Sequence, residues 1–368
     1  MEREHGAGTR SPSANRHQRL KNRPDATFAS LAVWLALLFS GPIPEAIALP
    51  TAEEVMKPLH ISDSDKERIR QGKIVDWSAR EGSDRELALG MAFLVKAKPE
   101  DLQGMYREAL VLKEVSVITA HGRLTGEGTM ADLAGVKLQP NGEKEARRYL
   151  NVEPGDELNL DAKEMVAFHA LKSAGKGGDV PVKEVEALIR QRLLARYQVY
   201  RTKGLLGIAP YERGHGKQQN AGDELLLSTK ELSGVAKHHQ AFHKFLLNYP
   251  QGLAKDEAKN LEEFFYWLNI DVFGRPTYVL VHRMLYLAGD AVLAVERQYY
   301  ASRDYNSMLQ GMAAIPTKDG TFLFYIGRVS TDQVAGLTSA ALHPISRAIT
   351  APYIRSMFKD LQKQVGTQ

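Results

Sequence analysis

Two β-rich runs, Tyr278-Val-Leu-Val-His-Arg-Met-Leu-Tyr-Leu287 and Val292-Leu-Ala-Val-Glu-Arg-Gln-Tyr-Tyr300, flank the tetrapeptide Ala288-Gly289-Asp290-Ala291. No other feature of the 368-residue chain restricts the fold as tightly. A two-residue Gly-Asp turn suits a tight hairpin, because glycine takes positive φ at little cost. With Gly289 and Asp290 as the turn, Ala288 faces Ala291 and the register follows by counting outward. Arg283 then opposes Glu296, a cross-strand pair of opposite charge that played no part in choosing the register.

The same count places His282 opposite Arg297. Side chains alternate along a strand, so that face also carries Tyr278, Leu280, Met284, Tyr286, Leu293, Val295 and Tyr299. Two readings follow. At a sheet edge, His282 and Arg297 would reach past the apolar side chains to water. Within an apolar cavity, they would orient the oxygen or carboxylate of a ligand. Under the second reading the candidate ligand-binding residues are His282, Arg297, Tyr286 and Tyr299.

Further strands are expected at Glu86–Val95, Val115–Thr119, Leu309–Ile315 and Thr321–Val329. The small residues Ala88, Gly90 and Ala92 on one face of the first predict close packing over it. Helices are expected from Pro99 to about Leu112, from Asp161 to the Gly175–Gly178 turn, over Val182–Thr202, Thr229–Leu247 and Asp256–Asn269, and from Gln333 to about Lys363. In the 182–202 helix, Val185, Leu188, Ile189, Leu193 and Val199 trace the apolar stripe, with Arg190, Arg192 and Arg196 on or beside its polar flank, a solvated or paired face. In the last helix, Ile345 and Ile349 join the apolar stripe, and Pro344 and Pro352 predict a kink or a split. Thr51 and Glu54 have capping-box spacing.

The amino terminus reads as an address. Residues 1–24 are polar and basic, Phe28–Phe39 is an apolar run, and Gly41, Pro42 and Pro44 precede Ala46-Ile47-Ala48. These are the three parts of a secretory signal peptide. The run of about 12 residues is short of the roughly 20 that span a bilayer. A cleaved leader over 1–48 and a periplasmic or secreted mature protein are expected, with a retained anchor as the alternative.

Composition removes several chemistries. The chain has no cysteine, which excludes disulfides, thiolate catalysis and cysteine-held metals. A net charge of +4 from 48 basic and 44 acidic residues provides no field for nucleic acid. The Gly122–Thr129 and Lys176 stretches lack GK[ST] and G-x-G-x-x-G, so neither is a phosphate loop; the first reads as a strand with a bend. No G-x-S-x-G elbow is present. His239 and His243 have two-histidine metal spacing, with His215 as a third candidate, but position 240 is Gln where a zinc protease has Glu. No cofactor or metal is expected.

The stretch Phe93-Leu-Val-Lys-Ala-Lys-Pro99-Glu-Asp-Leu102 is a strand entering a helix at a proline. With the late hairpins and the long terminal helix, it resembles the START-like (helix-grip) superfamily over roughly 85–112 and 275–365. That resemblance implies an antiparallel sheet curved around a long C-terminal helix and an apolar cavity for a lipid-like molecule, often without catalysis. The segment 156–271 would then be a helical insertion. The expected fold class is α+β: a curved antiparallel sheet packed on a long C-terminal helix, with an inserted helical subdomain. The parts are a leader at 1–48, a helical and linker segment at 49–84, sheet and helix at 85–155, the insertion at 156–271, and strands with the closing helix at 272–368. The expected function is non-catalytic binding of an apolar or amphiphilic molecule, with membrane contact only through the leader or transient lipid exchange. The alternatives are an exported enzyme using His239, His243 or His215, and a periplasmic interaction or scaffold protein with a fully packed core.

Overall fold

The computed structural model describes residues 51–57, 61–107, 117–155, 157–174, 179–272, 274–336 and 339–366, and every structural statement below concerns these. The leader, Val115 and the 175–178 turn lie outside them.

Two short helices open the described chain, α1 (Ala52–Met56) and α2 (Asp63–Arg70); the capping box of Thr51 and Glu54 is formed. Strands β1 (Val75–Ser78) and β2 (Glu86–Val95) lead into α3 (Pro99–Arg107), and β3 (Ile118–Leu124) follows. A long excursion then runs through α4 (Gly142–Leu150), α5 (Ala162–Ala174), α6 (Val182–Lys203), the small hairpin β4 (Tyr211–Glu212) and β5 (Gln218–Gln219), and α7 (Ala221–Lys230). It ends with α8 (Ser233–His238), α9 (Gln240–Asn248) and α10 (Lys255–Ala258). Five strands come next: β6 (Leu261–Val272), β7 (Arg275–Ala288), β8 (Ala291–Ala301), β9 (Ser307–Thr317) and β10 (Gly320–Ser330). Helix α11 (Ser339–Gly366) closes the chain.

Eight strands form one antiparallel sheet in the order β1-β2-β10-β9-β8-β7-β6-β3. The fold is therefore α+β, as expected. In the central hairpin Ala288 pairs with Ala291, Arg283 with Glu296 and His282 with Arg297. Gly289 has φ +64°, as the turn requires. Beyond Gln298 the register shifts by one, and Tyr299 is the extra residue of a β-bulge.

Alternation along the strands divides the core into two faces. Leu280, Met284, Tyr286, Leu293 and Val295 pack against α4–α9, including Phe168, Ile189, Leu193 and Phe242. Val279, Val281, Leu285, Val292 and Ala294 face the other way, toward Leu102 of α3 and Ala351, Ile354 and Phe358 of α11. The ring of Phe358 lies 5.0 Å from those of Phe93 and Tyr325. A third cluster seats α1 and α2 on one end of the sheet, through Met56, Ile69, Ala92 and Phe322.

Several expectations need correction. Residues 261–272 are strand, where a helix over Asp256–Asn269 was expected. Leu261, Phe264, Phe265 and Leu268 imitate helical spacing because β6 is covered on both faces and has no polar side to alternate. The sheet thus claims the end of the 156–271 segment, and β1 brings it back before residue 85. The 229–247 helix is broken into α7, α8 and α9 at Glu231-Leu232 and at His239. Val199, Ile345 and Ile349 are exposed, and Ile349 retains 72% of its accessible surface. Pro344 and Pro352 lie inside a helix recorded without interruption. Of the two states expected for the arginine flank, Arg196 takes the paired one: its Nε and Nη2 both donate to Glu164, at 2.8 and 2.5 Å.

Candidate functional site

His282 and Arg297 sit at paired positions in the middle strands of the sheet, both with no exposed surface. The edge reading is therefore excluded by position: β7 has β6 on its other side, and β8 has β9. Their face is turned to the inserted helices, whereas the closing helix lies on the opposite face, against the neighbours of Arg283 and Glu296. One residue of alternation decides this: the His282–Arg297 face meets the inserted helices and not α11.

The imidazole of His282 is held at both nitrogens. Nδ1 lies 3.0 Å from the Tyr200 hydroxyl, and Nε2 lies 2.9 Å from Glu263 Oε1. A carboxylate only accepts, so Nε2 carries the proton and Nδ1 accepts from Tyr200. The ring is stacked on Phe265 at 4.3 Å and tilted against Tyr249 at 4.6 Å. Burial drives the His282 pKa below its ordinary value; the contact with Glu263 opposes this without overcoming it. The folded protein therefore holds this histidine neutral.

Tyr200 projects from the penultimate turn of α6 and stacks on Tyr299 with ring centroids 3.8 Å apart and planes 6° from parallel. The bulge at Tyr299 turns Tyr299 and Tyr300 both toward the helical layer. Tyr299 meets Tyr200, and Tyr300 lies under the Arg196 guanidinium at 4.3 Å. The Tyr299 hydroxyl is buried with no hydrogen-bond partner. Burial raises the pKa values of both Tyr200 and Tyr299.

Arg297 is the unusual member. Its Nη2 donates to Thr229 Oγ1 at 3.1 Å and to the Leu246 carbonyl near the end of α9, while Nε and Nη1 are buried with no partner. Four arginines are buried among the described residues. Arg283 pairs with Glu296, Arg328 with Glu86, and Arg303 with Asp304 and Glu157. Among the described residues Arg297 alone of the four has no carboxylate. A guanidinium removed from water without a counter-charge costs several kcal/mol.

Of the four residues expected from sequence, three converge: His282, Arg297 and Tyr299. Tyr286 is four residues along β7, stacked on Phe242 at 4.6 Å, with its hydroxyl donating to Glu257. Burial, with Glu257 adding to it, pushes its pKa up to about 12. Tyr200, Glu263 and Tyr249 were not identified from sequence. Extending the α6 stripe from Leu193 by helical spacing reaches Tyr197 and Tyr200, so a signal for Tyr200 was present. None existed for Glu263, because its strand reads as a helix.

Of the histidines of the enzyme alternative, His239 and His243 stay one helical turn apart, the His243 amide donating to the His239 carbonyl at 2.9 Å. His239 sits at the break between α8 and α9, and His243 Nε2 lies 3.0 Å from the Thr229 carbonyl. Among the described residues no group of three or more His, Asp or Glu side chains is placed to hold a metal ion. No helix among them is long and apolar enough to cross a membrane. No family model, curated protein or solved structure matches the chain.

Proposed function

We propose that the protein is an exported, non-catalytic binding protein for a lipid-like amphiphile with an acidic head, taken up between the sheet and the inserted helices. One observation carries the reading: Arg297 is wholly buried, lacks a carboxylate and leaves Nε and Nη1 unpartnered. An anionic oxygen placed there would supply the missing charge and the missing acceptors. The unpartnered Tyr299 hydroxyl adds a donor, and Phe265, Tyr249 and Leu280 supply apolar surroundings. The cover over Arg297 comes from Thr229 of α7 and Leu246 of α9, in a run of short helices broken at Glu231-Leu232 and at His239.

A second reading has its own support. Arg297 also meets the carbonyl end of α9, a place where a cation is favourable. In that reading it fastens the helix to the sheet within a packed core, and the protein is a scaffold.

Arg297→Met separates the two. A residue retained for a ligand is costly to the unliganded fold, so the variant should be unchanged or more stable by about 1–4 kcal/mol and should lose its co-purifying amphiphile. Native mass spectrometry of residues 49–368, before and after organic extraction, reads the ligand, and urea denaturation reads the stability. Loss of stability together with a bare mass in the parent protein would establish the scaffold instead.

A further inference from the structure

The site holds a second device that simple anion binding does not use. Glu263, His282 and Tyr200 form a continuous hydrogen-bonded chain from a carboxylate with one-third of its side chain exposed to a hydroxyl buried beside Arg297. Every group facing His282 is identified. Tyr200 and the charge of Arg201 come from α6, and Glu263 and Phe265 from β6. Tyr249 follows α9, and Arg297 comes from β8. With His282 neutral, the charges facing it are those of the partly exposed Glu263, of Arg201 and of the buried Arg297. A carboxylate arriving at Arg297 would neutralise the guanidinium and remove one of the two positive charges that disfavour an imidazolium at His282.

We infer that the site takes a carboxylic acid together with its proton, the carboxylate resting on Arg297 and the proton on His282. The inference rests on the amphiphile reading above. The transfer balances without any other reactant. The acid O–H bond breaks as a new Tyr200 O–H forms, and the original Tyr200 proton passes to His282 Nδ1 across the 3.0 Å contact. Two neutralised pairs result, carboxylate with Arg297 and imidazolium with Glu263. The acid crosses the apolar layer uncharged and ionises only where both charges are met. At present the pKa of His282 is lowered by burial and further by the Arg297 charge. A bound anion cancels the second of these influences and so favours the imidazolium.

Titration calorimetry with decanoate and with uncharged 1-decanol tests this between pH 6.5 and 8.5, in two buffers of different ionisation enthalpy. Decanoate is fully ionised in solution across this range. The expected result is uptake of about one proton per decanoate and affinity falling about tenfold per pH unit between the His282 pKa of the free protein and that of the complex, levelling off above the latter. Decanol binding should not vary with pH. In His282→Gln, where the amide can still bridge Tyr200 and Glu263, proton uptake should vanish. Glu263→Gln, at a half-exposed position, should reduce uptake and guards against a folding defect in the first variant. Decanoate binding without proton uptake, or with equal uptake in His282→Gln, overturns the inference and leaves the amphiphile reading standing. If neither probe binds, both fall.

Discussion

Glu86 and Arg328, on the neighbouring strands β2 and β10, pair at 2.9 Å with both side chains almost wholly out of solvent. Glu86 also accepts from Ser228 Oγ and from the Gly82 amide, each at 2.5 Å. Truncating it leaves a buried guanidinium alone, in the circumstance that Arg297 already occupies. Glu86→Ala should therefore cost about 3–5 kcal/mol, seen as a lower urea midpoint at an unchanged slope. A loss below about 1 kcal/mol would mean that water reaches Arg328 and that burial of an arginine here carries no such cost. At this scale His282 and Arg297 were legible in the sequence because alternation alone assigns them to one face. What each touches was not, since Thr229, Leu246, Tyr200 and Glu263 are brought in by packing between distant segments.

Strand β3 shows an element shaped by what lies over it. A Cβ built on Gly122 would fall 2.4 Å from Trp267 Nε1, because the indole of the neighbouring strand lies across that position and donates to the Asp132 carbonyl at 2.7 Å. Gly122→Ala should force the indole aside and cost about 1–3 kcal/mol, with a red-shifted tryptophan emission if the ring gains access to water. An unshifted spectrum with parental stability would show that the seat is loose. The glycine-bearing stretch, expected as a bent strand, is strand only as far as Leu124; Gly126 and Gly128, both at positive φ, lie in a turn, and the irregularity of β3 falls earlier, between Ile118 and Ala120. Nothing in it could name Trp267 as the reason. Hairpin β7–β8 was legible to the residue, its turn and its charge pair agreeing, whereas the bulge at Tyr299 has no sequence signature. β6 was hidden because a strand buried on both faces loses the period of two that identifies strands.

Across the molecule, helix α11 is tied to the start of β2 by one histidine. His343 Nδ1 lies 2.6 Å from Glu81 Oε2, and Nε2 lies 3.0 Å from the Asp84 carbonyl; Arg347 pairs with the same glutamate. Both partners accept, so both ring nitrogens must carry hydrogen. Burial opposes the charge, but Glu81 and Asp84 prevail and raise the pKa above its ordinary value of 6.5. This contribution to stability is complete below pH 6.5 and is lost as pH rises through the folded-state pKa. Thermal melts of the parent protein and His343→Gln should accordingly converge from pH 5.5 to 8.5. A gap that does not change with pH would show that the imidazole is neutral. His282 has the opposite sign: its lowered pKa means that the fold is weakened as pH falls below 6.5.

The pairing of β2 with β10 joins residue 86 to residue 330. The β6–β10 meander consists of neighbours in sequence and can assemble by local zippering, but its partner on the β10 side was made more than 200 residues earlier. During synthesis, β2 emerges first and must wait for the last strand. For that interval the apolar segment Leu87 to Val95 has β1 and the opening helices to bind it, while the edge that will meet β10 stays open. Assembly of this protein therefore runs from back to front, and the segment around β2 is the part that most needs a chaperone.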